Sequence, residues 1–290
     1  MTGTAMLEIT GLTHAFGPGH PALADVTLTI GEGELVSIVG PSGCGKSTLL
    51  RCVAGLIRPT GGRFVLRGAP VDAVPDGLAV VFQDYSRSLF PWLSVRDNVA
   101  LPLRRTQPGR AQRQATALAA LGTVGLTGTA QKYPWQLSGG MQQRVAIARA
   151  LACDPVLLLM DEPFGSVDAQ TREDLEDLIL AVRQDRQMTI LMVTHDIDES
   201  VYVGDRVIVL TPGPARVRAD LRVDLPAPRD QITTKALPGF VHLRTEVSRL
   251  VRGQPGDAGG PASAGGEGRP APGDDSRDRN RSRAARASQE

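Results

Sequence analysis

The chain reads Gly40-Pro41-Ser42-Gly43-Cys44-Gly45-Lys46-Ser47-Thr48 directly after a short apolar run at residues 35–39. This stretch fits the pattern G-x-x-x-x-G-K-[ST], in which glycines let backbone N–H groups turn inward around phosphate oxygens. Residues 49–54 are typical of a helix that ends at Gly55, so the stretch joins a strand to the start of a helix. The sequence therefore predicts that residues 40–48, here named the phosphate loop, bind a nucleoside triphosphate.

The phosphate loop holds one of only three lysines, against 29 arginines in the whole chain. A flexible ammonium and a planar guanidinium are not interchangeable where a narrow loop must admit one charge. Lys46 is therefore predicted to contact the β- and γ-phosphates, and the hydroxyl of Ser47 is predicted to bind Mg²⁺. The alternative is a glycine-rich turn that contains a lysine by chance.

Composition limits the other classes of function. Apolar residues make up 41% of the chain, which suffices for a globular core, and the net charge of +1 argues against nucleic acid as a principal ligand. Three cysteines without a paired spacing indicate neither a disulfide framework nor a zinc site, which favours a reducing compartment. The apolar runs are too short to span a bilayer, so we expect a protein that is soluble by itself.

The end of the chain has a different composition. Residues 253–290 contain no Val, Ile, Leu, Met, Phe, Tyr or Trp, and their six arginines are matched by six acidic residues. Such a segment cannot build a core, which predicts a solvated, disordered tail. An arginine-bearing arm for lipid or nucleic acid is the alternative, although its charges cancel. We therefore expect a nucleotide-binding domain at residues 1–252 and a disordered tail at residues 253–290.

The remaining pattern indicates an α/β protein. Apolar runs, some of them alternating with polar residues, predict strands at residues 7–9, 26–30, 63–66, 78–82, 156–160, 189–193 and 206–210. Helical patterns predict helices at residues 111–121, 142–151 and 175–182. The first strands alternate as in an antiparallel layer with one wet face, and residues 84–152 are predicted to form a helical insertion.

Two carboxylates follow the apolar run at 156–160, in Asp161-Glu162-Pro163. Ligands of open α/β sheets lie at the carboxyl ends of buried parallel strands, so both side chains are candidates for a site. Asp161 is predicted to hold Mg²⁺, directly or through water, and Glu162 to orient and deprotonate the attacking water. An acidic turn without a catalytic role is the alternative.

The stretch Leu137-Ser138-Gly139-Gly140-Met141-Gln142-Gln143-Arg144 opens a predicted helix. Ser138 stands at the N-cap position, and Gly139 and Gly140 would let backbone amides approach an anion closely. A capped helix start is the plain alternative. The stretch matches the signature L-S-G-G-Q/M-x-x-R, and over residues 6–250 the chain resembles the ATP-binding subunits of ABC transporters. The segment 137–144 is here named the signature segment.

The resemblance implies a P-loop NTPase (RecA-like) core with an antiparallel β layer and a helical subdomain at about 84–152. It implies ATP and Mg²⁺ as cofactors, with the whole phosphate loop contacting the nucleotide. It also implies a head-to-tail dimer, in which Ser138, Gly139 and Gly140 of one copy cover the γ-phosphate held by the other. A single copy would then have only half-sites.

Four further positions match motifs of that family. Phe16 falls where an aromatic stacks on adenine, although it could be a core residue at a strand end. Gln83 matches the glutamine that contacts Mg²⁺, and His195 the switch histidine near the γ-phosphate, with a satisfied loop histidine as the alternative. The loop at 165–168 matches one that reaches the opposite subunit; its Asp168 could instead be a helix N-cap.

Large apolar side chains, among them Phe90 and Trp92, crowd a polar-flanked loop at Tyr85 to Val99, which favours this segment as the docking surface for membrane permease subunits. The alternative places both side chains in a small core. Pro91-Trp92 and the run from Asp224 onward are similar to importer ATPases of the nitrate, sulfonate and taurine group.

Membership of that group implies separate membrane subunits, an extracytoplasmic solute-binding protein and a small anionic or sulfonate-like solute. It also implies a peripheral location on the cytoplasmic face of the inner membrane. An ABC exporter ATPase shares every catalytic motif and stays an alternative. A soluble ABC ATPase that acts on DNA or ribosomes is a further one, although the short helical insertion argues against it.

Overall fold

The strands of the described residues form two sheets. The computed structural model describes residues 5–254, apart from residues 72 and 166, and these residues belong to one compact unit. The predicted tail, except for residues 253 and 254, lies outside the described residues. The strands are β1 (Ala5–Ala15), β2 (Pro21–Gly31), β3 (Leu35–Val39), β4 (Gly61–Leu66), β5 (Ala69–Pro70), β6 (Leu78–Val81), β7 (Leu157–Asp161), β8 (Thr189–Val193), β9 (Arg206–Leu210) and β10 (Val217–Arg222).

The central sheet has the strand order β10-β9-β3-β8-β7-β6. Strands β9, β3, β8, β7 and β6 are parallel, and β10 pairs antiparallel to β9 at the edge. Every residue of β3, β7 and β8 is buried, as expected for strands that are covered on both faces. Strand β10 was missed by the sequence analysis because its sequence, VRADLR, is half-exposed and polar.

The smaller sheet is antiparallel, with the order β2-β1-β4-β5. In β2, Val26, Leu28 and Ile30 are buried while Thr27 and Thr29 are exposed, which confirms the predicted layer with one wet face. The inner face of this sheet packs with helix α1 (Lys46–Val53) against one face of the central sheet, in a core that includes Val36, Leu49 and Leu191.

The opposite face of the central sheet packs against the other helices. They are α2 (Tyr85–Ser88), α3 (Val95–Ala100), α4 (Arg110–Thr123), α5 (Gly139–Ala152), α6 (Ala169–Arg186), α7 (Ile197–Val203) and α8 (Pro238–Val251). Three short 3₁₀ turns lie at Pro102–Arg104, Thr127–Thr129 and Pro134–Gln136. These helices and the sheet enclose a second core, which includes Leu35, Met160 and Met192. Along their strands, these side chains alternate with those of the first core.

The chain between β6 and β7 is helical, as the sequence predicts, and contains α2 to α5. The predicted helices at 111–121 and 142–151 lie inside α4 and α5, and the one at 175–182 lies inside α6. Helices α7 and α8 were not predicted as elements. Within the described ranges, no helix combines the length and the apolar character that a membrane span requires.

Candidate functional site

The phosphate loop joins β3 to α1, and its lysine is folded back onto the loop. Lys46 is only 6% exposed, and its Nζ donates hydrogen bonds to the carbonyl oxygens of Gly40 (2.7 Å) and Pro41 (3.1 Å). Two neutral carbonyls are weak partners for an ammonium group compared with an anion. The loop therefore holds its one cation in place, ready to exchange these contacts for phosphate oxygens.

The shape of the phosphate loop depends on glycine. Gly45 has a φ of 117°, and a Cβ atom there would lie 2.7 Å from the carbonyl oxygen of Ala22. Gly40 is tightly packed too, because its Cβ would meet Cys44 Sγ at 3.0 Å. Cys44 is buried, and desolvation raises the pKa of its thiol, so the side chain is an uncharged packing group.

A hydroxyl and a carboxylate meet where the sequence predicts a Mg²⁺ site. Ser47 Oγ donates to Asp161 Oδ1 at 2.9 Å, which joins the first turn of α1 to the carboxyl end of β7. Asp161 is 4% exposed, and desolvation raises the pKa of its carboxyl group, while the Ser47 hydrogen bond opposes that shift. The donor set is all oxygen, as Mg²⁺ prefers.

Glu162 contacts two side chains that come from other strands. Its Oε2 accepts a hydrogen bond from Gln83 Nε2 at 2.9 Å and lies 3.1 Å from His195 Nδ1. Gln83 follows β6 and His195 follows β8, so the neighbouring carboxyl ends of β6, β7 and β8 contribute one side chain each. The structure thus brings together three residues that the sequence analysis singled out separately.

The backbone of Glu162 is also unusual. Its φ is 44°, in the left-handed region that non-glycine residues rarely adopt, and its N–H donates to the carbonyl of Val193 at 2.8 Å. Backbone of this kind costs about 1–3 kcal/mol and is found at active sites as well as in turns. The bond to Val193 holds Glu162 next to the end of β8.

A cavity of about 990 Å³ covers this group of residues. Residues 42, 43 and 45–48 of the phosphate loop line it, together with Gln83, Glu162, His195, Phe16 and Pro214. Its volume is at the upper end of the range for small-molecule sites. Among the described residues that line the cavity, none comes from the signature segment.

Phe16 is 67% exposed, and its ring lies edge-on to His14 with centroids 4.8 Å apart. The alternative of a core phenylalanine is therefore wrong. Stacking of this ring on adenine stays a prediction, which its exposed position at the wall of the cavity favours.

Two helix starts match their sequence patterns. Ser138 is the N-cap of α5, and its side chain accepts from Met141 N at 3.4 Å, with Gly139 and Gly140 in the first turn. Asp168 is the N-cap of α6, and its carboxylate accepts from Thr171 N at 3.0 Å. The capping interpretation of Asp168 is confirmed, while contact with a second subunit stays a prediction.

Sequence reasoning missed a cluster behind His195 that contains Arg172, Thr194, Asp196 and Glu199. The run Asp196-Ile197-Asp198-Glu199 resembles a capping box, with an acid three residues after the N-cap, and could have revealed the start of α7. In the part of the chain that the structure describes, no group of three or more His, Cys, Asp or Glu side chains could hold a metal ion.

The fold and this cavity define a nucleoside-triphosphate-binding α/β protein with a phosphate loop. The chain belongs to the ABC transporter family of ATP-binding proteins, whose family model, described as ABC transporter, matches residues 23–165. It is 42% identical over 255 residues to the taurine import ATP-binding protein TauB of Pseudomonas entomophila, covering 86% of this chain and 98% of that protein. The predicted family and fold class are thus confirmed.

Two further comparisons, with a protein sequence and with a solved structure, support the same family assignment. The nitrate import ATP-binding protein NrtC of Synechococcus elongatus is 44% identical over 241 residues, or 82% of this chain; the match spans only 36% of NrtC. The solved dimer of the ATP-binding cassette MJ0796, in a post-hydrolysis state bound to ADP and Pi, has 35% identity and a TM-score of 0.67. That match covers 75% of this chain and 99% of MJ0796.

Proposed function

We propose that this chain is the ATP-hydrolysing subunit of an ABC importer. The observation that carries the proposal is the position of Glu162, which Gln83 and His195 hold at the wall of the cavity that also contains the phosphate loop. The three side chains share one cavity with Lys46 and Ser47, so a base and a phosphate-binding cation face the same space.

Hydrolysis on this surface depends on position and charge. Lys46 exchanges the carbonyls of Gly40 and Pro41 for β- and γ-phosphate oxygens, and the loop amides bind the remaining oxygens. Glu162 accepts a proton from the attacking water, and His195, whose Nδ1 lies 3.1 Å from Glu162 Oε2, helps to orient the carboxylate. The oxygens of Ser47, Asp161 and Gln83 fit Mg²⁺, which would neutralise charge on the phosphates when bound.

A second copy of the chain completes the site in this proposal. Ser138 and Gly139 are exposed and Gly140 is half-buried at the start of α5, outside the cavity of their own chain. The backbone amides at this helix start suit the γ-phosphate held by the partner copy. The related cassette MJ0796 is described as a dimer bound to ADP and Pi, which supports the association of two copies.

The test is phosphate release by the purified chain at increasing protein concentration. Because each site needs two copies, we expect the rate per molecule to rise with concentration until the dimer saturates. Chelation of Mg²⁺ by EDTA is expected to abolish release. If the rate per molecule stays constant while dilution converts dimers into monomers, the shared site is contradicted.

Import of a small anionic or sulfonate-like solute is proposed from the relatives, whose names specify nitrate and taurine. Permease subunits would dock on the surface at residues 85–99, where Phe90 is 38% and Trp92 is 70% exposed, with ring centroids 5.3 Å apart. The core of this region contains Leu89, Val95 and Val99 instead, so the alternative that places both aromatic residues in the core is wrong. The chain would act at the cytoplasmic face of the inner membrane, coupled through the permease to an extracytoplasmic solute-binding protein.

We expect Trp92→Ala to weaken binding to the permease by on the order of 2 kcal/mol, or roughly 30-fold, because exposed aromatic anchors dominate interfaces. The measurement is co-purification of membrane subunits and solute-binding protein with a tagged chain from detergent-solubilised membranes. ATP turnover by the isolated chain should stay the same.

The control is Ile232→Ala, which removes an 80% exposed side chain far along the chain from residues 85–99. It should leave co-purification intact. Equal recovery of the membrane subunits with Trp92→Ala would contradict the docking surface. Recovery of membrane subunits without any solute-binding protein would favour export.

A further inference from the structure

Behind His195, an ion-pair cluster joins α6 to α7. Arg172 is at the first turn of α6, and its backbone N–H donates to the carbonyl of Asp168. Its Nη1 lies 3.3 Å from Asp196 Oδ2, and its Nε lies 3.5 Å from Glu199 Oε1. One guanidinium thus contacts both carboxylates at the start of α7.

The same two acidic residues hold the chain on both sides of His195. Glu199 Oε2 accepts from Thr194 Oγ1 at 2.7 Å, and the N–H of Asp196 donates to the same hydroxyl at 3.0 Å. Asp196 Oδ1 caps α7 by accepting from the N–H groups of Asp198 (2.9 Å) and Glu199 (3.2 Å). The turn at residues 194–196 is therefore tied to one pair of carboxylates.

His195 itself has little packing. Its side chain is 61% exposed, and its Nδ1 lies 3.1 Å from Glu162 Oε2. An exposed ring has few neighbours that restrict its rotamer, so its placement depends on the backbone on either side. Glu162 follows β7 and precedes α6, and His195 follows β8 and precedes α7. Arg172 connects these two helices.

We propose that Arg172 is a positioning residue for ATP hydrolysis, which holds Asp196 and Glu199 so that the turn at 194–196 places His195 against Glu162. The inference rests on the proposed ATPase function.

The charge balance of the cluster supports this role. Glu199 is 4% exposed, and the pKa of its carboxyl group is raised to about 7, chiefly by burial and also by Asp196 and Glu176. The hydrogen bond from Thr194 and the charge of Arg172 lower it. Glu176 in turn lies near Lys235, which approaches from the segment before α8. Arg172 lowers this pKa, so it favours the charged form of Glu199, which is the form that pairs with the guanidinium.

The test compares Arg172→Met and Arg172→Lys with the wild type in ATP turnover, ATP binding and the pH dependence of kcat between about pH 6 and 9. For Arg172→Met we expect kcat to fall roughly 10- to 100-fold with little change in KM, because a small misplacement of a catalytic group slows the chemical step. Arg172→Lys should recover much of the activity.

The pH profile gives a second readout. In the wild type, Glu199 is charged above about pH 7, so kcat should fall as the pH drops through that value. Without Arg172 the carboxyl binds its proton more tightly, so the fall should move to higher pH. A variant that is damaged only in its stability would keep the wild-type profile.

Two controls distinguish the positioning role of Arg172 from a general loss of stability. Arg183→Met breaks another ion pair of α6, with Asp205 at 2.5 Å, and should lower thermal stability without lowering kcat. In a His195→Ala background, Arg172→Met should cause no further loss, because both changes remove the same effect.

If the wild type is active and Arg172→Met has an unchanged kcat, the inference is overturned while the proposed function stands. The same holds if Arg172→Met lowers kcat equally in the wild-type and His195→Ala backgrounds. A wild-type chain without ATPase activity overturns the proposed function and the inference together. If Arg172→Met does not fold, Arg172→Gln, which also removes the charge, takes its place in the same comparison. A lower kcat with a profile shifted to higher pH then supports the inference, and wild-type kcat with an unshifted profile overturns it.

Discussion

Replacing Glu162 with Gln is expected to slow ATP turnover by about 10²- to 10⁴-fold, the usual contribution of a positioned general base. This corresponds to about 3–5 kcal/mol in the activation free energy. The amide keeps the size of the carboxylate and can still contact Gln83, which lies 2.9 Å away, but it cannot accept a proton from water. ATP binding should therefore persist. The measurement is steady-state phosphate release beside equilibrium binding of ATP.

A matched control is Glu246→Gln in α8. Glu246 also faces a histidine, with its Oε2 3.9 Å from His242 Nε2, but it does not line the cavity. This variant should turn over ATP at the wild-type rate. If Glu162→Gln does so as well, Glu162 is not the general base.

Lys46→Met is expected to weaken ATP binding itself, in contrast to Glu162→Gln. Removing one partner of a buried, hydrogen-bonded charge pair costs about 2–5 kcal/mol, or roughly 30- to 5,000-fold in Kd. Lys46 is 6% exposed in the loop that lines the cavity, and Met has an unbranched stem of similar length. The measurement is the Kd for ATP by titration calorimetry, with thermal unfolding to verify the fold.

Lys132→Met serves as the comparison, because Lys132 is exposed and lies outside the cavity. It should bind ATP as the wild type does. Wild-type affinity in a folded Lys46→Met variant would rule out the phosphate loop as the triphosphate site.

Much of the fold could be predicted from the sequence because its signals are local. Fully apolar runs mark β3, β7 and β8, and alternation marks β2, since burial on one or two faces decides which residues a strand tolerates. The caps at Ser138 and Asp168 follow from side chains that bond to amides only three residues away. Strand β10 escaped prediction because an edge strand with polar residues lacks such a pattern.

The family resemblance assigned Gln83, Glu162 and His195 to one nucleotide site, but the sequence did not predict their contacts with one another or with neighbouring helices. Arg172 and Glu199 look like ordinary charged residues of amphipathic helices, and only the packing of α6 beside α7 makes them partners across the start of α7. A spacing of three or four residues predicts contacts within one helix, so it cannot predict contacts between residues of different elements. The sequence also could not predict that Phe16 and Trp92 are exposed, because aromatic residues occur both in cores and on binding surfaces.

The sequence by itself determined that this protein has a glycine-rich loop between a strand and a helix, a buried strand that leads into two acids and a capped glycine-rich helix start, because each is a contiguous stretch with its own local conformation. The tertiary structure decided that Gln83, Glu162 and His195 meet. Their contacts depend on the strand order β8-β7-β6, and that order results from how both faces of the sheet are packed rather than from any short stretch of chain.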